Sequence, residues 1–133
     1  MQTKLIIAMS ALAIANLAFA DDICQRVQGT WSGKGSATSW IIGTCYYHGT
    51  GTISPVGGDH FMTINVTGDK DGGSELCPKH FETQLRATCD NGYVVVKTDY
   101  GNLNGSANGN TAYANGTISV AGVDADIKMQ LWR

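Results

Sequence analysis

From Val123 to Leu131 apolar and polar residues alternate without a break. Val123, Ala125, Ile127, Met129 and Leu131 hold one phase; Asp124, Asp126, Lys128 and Gln130 hold the other. A period of two describes a β-strand with one buried and one wet face, whereas on a helix the same spacing would scatter the apolar groups around the axis. Most of the chain after residue 20 follows this rule. Thr, Val, Ile and Tyr recur in short runs, punctuated by glycine, which makes up 17 of 133 residues. The runs predict eight strands, at about 25–34, 40–54, 60–67, 80–89, 92–99, 102–108, 111–119 and 123–132. Turn residues separate them: Pro55-Val56-Gly57-Gly58, Asp90-Asn91-Gly92, Asn108-Gly109-Asn110 and Ala121-Gly122. Asn91-Gly92 is the strongest of these, because both residues readily take the positive φ of a tight hairpin. Gly68 to Lys79, "GDKDGGSELCPK", reads as a surface loop pinned by its cysteine.

The first 20 residues differ in kind. Lys4 precedes an apolar run from Leu5 to Leu17, and Ala18-Phe19-Ala20 forms a small-residue cleavage site. That is the pattern of a secretory signal peptide, of bacterial appearance, and it predicts a secreted or periplasmic protein. Residues 21–133 then form a single domain, with eight basic and eleven acidic side chains. No basic stripe is present, which argues against nucleic acid as a partner. No later segment is apolar enough to predict a membrane helix. Four cysteines, Cys24, Cys45, Cys77 and Cys89, lack any C-x-x-C pair, so disulfides are expected rather than zinc or thioredoxin-type chemistry.

Phase and closure can be read together. Val27, Gly29, Trp31, Gly33 and Gly35 share a phase, which turns Trp31 inward. An up-and-down sheet of eight strands can curl until its last strand pairs with its first, which removes both exposed edges. Trp31 and Arg133 then meet at one end, with the guanidinium over the indole. The same up-and-down order puts Cys24 near Cys89 and Cys45 near Cys77. The fold class is all-β, an antiparallel up-and-down eight-stranded barrel; a half-open barrel or a β-sandwich is the alternative. Gly29 and Trp31 early and Arg133 late resemble the calycin pattern of lipocalins, fatty-acid-binding proteins, avidin-like proteins and small bacterial protease inhibitors. The chain is shorter than a lipocalin and has no helix after the last strand.

A search for chemistry finds little. No H-E-x-x-H, G-x-S-x-G or phosphate-loop motif occurs. His48, His60 and His80 fall on different strands or strand starts, so a shared metal is not expected. Asp69-Lys70-Asp71-Gly72 lacks the ligand spacing of a calcium loop. Asn65, Asn104 and Asn115 begin N-x-S/T sequons, which matter only in a glycosylating host. No catalytic residue, cofactor or metal is assigned, and the chain is expected not to be an enzyme. Six aromatics, Trp40, Tyr46, Tyr47, Tyr100, Tyr113 and Trp132, form a possible partner surface. The inward residues Leu103, Gly105, Ala107, Ala112, Ala114, Gly116 and Ile118 are mostly small; they either balance Trp31, Phe81 and Leu85 or leave a cavity.

The expected function is an exported binding protein that acts through its loops or outer face on a protein partner such as a protease. The resemblance to the inhibitors implies that Asp21 to Val27 would fill the protease cleft, although Cys24 would tether that arm. The alternative is a lipocalin-like carrier with a small apolar ligand inside the barrel.

Overall fold

The computed structural model describes residues 24–58 and 60–133. The proposed signal peptide, 1–20, lies outside the described residues. Eight strands run in order: β1 (Gly29–Ser39), β2 (Gly43–Ile53), β3 (Met62–Gly73), β4 (His80–Asp90), β5 (Tyr93–Thr98), β6 (Gly101–Asn108), β7 (Thr111–Val120) and β8 (Val123–Trp132). Each pairs antiparallel with the next, and β1 pairs with β8 from Ser32↔Trp132 to Thr38↔Asp126, closing the barrel. Hairpin chemistry explains the short connections. Asn91 and Gly92 both take positive φ (53° and 85°), as do Ala121 and Gly122 (52° and 81°), so the turn twist matches that of the flanking strands.

Several strand limits differ from expectation, and β1 runs on to Ser39 rather than ending near 34. Residues 24–27 form a helical turn rather than the start of β1, since the Cys24–Cys89 bond holds this segment against the barrel end. Trp40 does not begin β2; it sits in the β1–β2 turn, where the Ser39 hydroxyl accepts a hydrogen bond from the Ile42 amide (3.0 Å). β3 runs on to Gly73, so most of the glycine- and charge-rich segment is strand, and the irregular loop is only 74–79. Its residues pair with β2 through Cys45↔Gly73 and His48↔Asp69, and a bulge opposite Tyr46 and Tyr47 absorbs Asp71. Main-chain pairing overrides local loop preferences there.

The end where β1 begins is sealed. Trp31 is 1% exposed, its indole N–H donates to the Val27 carbonyl (2.8 Å), and the Arg133 guanidinium lies 4.4 Å from the ring centroid. Arg133 also donates to the carbonyls of Gln28 (2.8 Å) and Arg26, so one side chain clamps the segment ahead of β1 to the end of β8. Met62, Ala87 and Val96 pack beside this seal. Two disulfides brace opposite ends: Cys24–Cys89 at the sealed end and Cys45–Cys77 at the other.

Trp31→Ala should lower the unfolding free energy by about 3–5 kcal/mol, the usual range for deleting a buried large aromatic. Arg133→Gln should cost less, about 0.5–2 kcal/mol for the ring contact alone. Urea titration of both variants with the disulfides intact checks this; equal losses would show that the indole is not the principal element of the seal.

Candidate functional site

The barrel interior is the candidate site. Inward phases bring Trp31 and Gly33 (β1), Gly49, Gly51 and Ile53 (β2), and Met62, Ile64 and Val66 (β3) to one space, with Leu85, Val96, Ala114 and Met129 from the later strands. The cavity measures about 140 Å³ and its lining is almost wholly apolar. Small residues on β6 and β7 leave this room: Ala107, Ala112 and Ala114 face bulkier groups opposite. Glycine has two distinct roles. At Gly49 and Gly105 a Cβ would lie 1.9 Å from a facing carbonyl oxygen (Thr67 and Tyr113), so close strand approach excludes any side chain. At Gly51 a Cβ would meet nothing nearer than 3.8 Å, so that position borders open cavity.

Tyr47 corrects the expected partner surface. It lies half-buried on the inner phase of β2, with its ring edge-on to Phe81 at 5.2 Å and its hydroxyl donating to the Pro78 carbonyl (2.8 Å). Burial pushes its phenol above the usual tyrosine range. Phe81 lies against the bare backbone of Gly68, where a Cβ would come within 2.4 Å of the ring. Together Tyr47 and Phe81 bound the cavity on the side away from Trp31. The phase of β2 reveals this: Tyr47 shares it with Cys45, Gly49, Gly51 and Ile53.

The other five aromatics are outside. Trp40 (83% exposed) and Tyr100 (54%) sit in turns at the end away from Trp31, whereas Tyr46, Tyr113 and Trp132 lie on the outer wall.

The histidines divide by end. His60 lies in the β2–β3 loop with φ of 67°, while His48, Asp69 and His80 fall in register across β2, β3 and β4. His48 Nδ1 meets the Asp71 carboxylate at 2.5 Å; His80 Nδ1 meets Asp69 at 2.7 Å and His80 Nε2 meets Glu82 at 3.4 Å. Sequence reasoning missed these pairs, because cross-strand register decides them. Among the described residues no group of three or more His, Cys, Asp or Glu is arranged to hold a metal ion. The hydrogen bond to Asp69 comes first, and that to Glu82 second, in raising the His80 pKa above 6.5. A raised imidazole pKa adds stability that is fully present below the unfolded-state pKa and lost as pH rises through the folded value. The group is fully exposed, so the effect on stability is small. Asp69→Asn should move the His80 titration midpoint down towards 6.5 in an NMR titration of the imidazole protons; an unmoved midpoint would show that Asp69 does not cause the shift.

No protein-family model and no curated protein sequence matches the chain. Among solved structures it is similar to the S-type phycobiliprotein lyase CPES from Guillardia theta, with a TM-score of 0.60 and 10% identity over 85% of this chain and 91% of that one. At that identity the likeness concerns the fold alone, here a closed barrel of eight antiparallel strands. It also corrects the expectation that the chain is not an enzyme. A barrel of this shape serves in a protein named a lyase, so this architecture and the lack of a recognisable motif do not exclude catalysis. Among the described residues no helix is long and apolar enough to cross a membrane.

Proposed function

We propose that the chain is an exported binding protein whose barrel interior holds one small apolar molecule. The observation that carries this reading is the cavity: about 140 Å³, apolar, and bounded by Trp31 on one side and by Tyr47 and Phe81 on the other. An engineered apolar cavity of about 150 Å³ in another protein stays dry and takes up benzene. Ordinary ligand pockets hold about 300–1,000 Å³. The occupant is therefore a single ring or a short alkyl chain, not an extended lipid. The calycin-like architecture supports an interior site, and two disulfides suit an oxidising compartment.

The protease-partner reading has less support. Residues 24–28 are held at the barrel end by the Cys24–Cys89 bond, by burial of Val27 and by the Arg133 clamp, which leaves little of the segment free to enter a cleft.

Methyl NMR of the protein lacking residues 1–20 tests the interior site, because Met62 and Met129 both line the cavity. Benzene or indole should shift both methionine methyl signals and saturate. Gly51→Val should abolish the shifts and leave the fold intact, since the position lines the cavity and a Cβ there meets its neighbours only at ordinary contact distance, 3.8 Å or more. Wild-type methyls that stay put with both probes would sink the proposal.

A further inference from the structure

The outer wall carries a second, larger concavity. On β2, β1, β8 and β7 the register aligns outward side chains in two rows: His48, Lys34, Gln130 and Tyr113, and beside them Tyr46, Ser36, Lys128 and Asn115. Between the rows runs an open groove of about 650 Å³. Tyr46 and Tyr113 stand at its two ends, each more than half exposed. They sit three strand spacings apart, about 14 Å along the sheet. Ser36 is short and Gly35 has no side chain, so the floor between them is low.

The chemistry of the lining narrows the ligand. Lys34 and Lys128 both reach the groove, and among the described residues neither lies within ion-pair distance of a carboxylate. Asp71 borders the groove, but His48 holds its carboxylate at 2.5 Å. Asn115, Gln130 and Ser36 offer amides and a hydroxyl, groups that both donate and accept, as a polyhydroxyl ligand requires. Exposed tyrosine rings supply flat apolar faces for the C–H face of a sugar ring. Over this face every strand is paired on both sides, so the groove offers no edge to an extended peptide. A nucleic acid would call for a basic track, and the chain is net negative at −2.

From these observations we propose that the β2–β1–β8–β7 face binds a short acidic oligosaccharide, with Tyr46 and Tyr113 stacking on sugar rings and Lys34 and Lys128 meeting its carboxylate or sulfate groups. The groove lies on the outward side of these strands, and Lys34, Tyr47, Tyr113, Met129 and Gln130 border both it and the interior cavity.

Isothermal titration of the protein lacking residues 1–20 with trigalacturonate and with a heparin tetrasaccharide tests it, the two probes distinguishing carboxylate from sulfate. At least one should bind saturably, more weakly in added salt, and in preference to neutral maltotriose. Lys34→Gln with Lys128→Gln should weaken binding about 3- to 10-fold, as expected for exposed ion pairs. Tyr46→Ala or Tyr113→Ala should each weaken it by at least about 5-fold. Gly51→Val should leave binding unchanged, which separates this site from the interior one. Failure of both acidic probes, equal binding of maltotriose, or undiminished binding by the double lysine variant would overturn the proposal.

Discussion

Pairing of β1 with β8 is the constraint on which the rest of the molecule depends. It turns eight hairpin-linked strands into a tube and pairs the two strands that would otherwise be its outer edges. Trp31 and Arg133 secure that closure at one end. The indole fills the space that the barrel would otherwise open to water, and the guanidinium lies over it while bonding the chain ahead of β1. The contact joins residues far apart in sequence, so the tube must close before the contact can form. In return it stabilises the closed state over any half-open sheet.

One alternating pattern therefore makes two surfaces with different capacities. Inside, the small residues of β6 and β7 oppose Met62, Ile64 and Leu85, and the mismatch in volume leaves a cavity sized for one ring. Outside, β2, β1, β8 and β7 carry lysine, amide, hydroxyl and tyrosine groups around an open groove. Substitution at Gly51 alters the first surface without touching the second, because neighbouring positions on a strand point to opposite sides.

Likeness of fold at 10% identity does not transfer an activity. What it transfers is an architecture in which side chains from many strands converge on one interior, where each strand contributes one or two groups. A site built in this way has no linear motif, which is why a search for catalytic signatures in the sequence was a poor guide to whether this chain does chemistry.

Alternation along each strand, the turn residues between strands and the even strand number were enough to read an all-β up-and-down barrel from the sequence, because these features act over a few residues and repeat along the chain. Where β3 would end was misread, because glycine and charge favour a loop locally while pairing with β2 favours a strand. Tyr47 belongs to the inner phase of β2 although the adjacent Tyr46 faces out, because neighbouring residues on a strand point to opposite sides. The histidine–carboxylate pairs, the cavity volume and the alignment of Tyr46, Lys34, Lys128 and Tyr113 around one groove came only from the tertiary structure. Each depends on register between strands or on the volumes of side chains that face one another across the barrel, quantities that no single stretch of sequence contains.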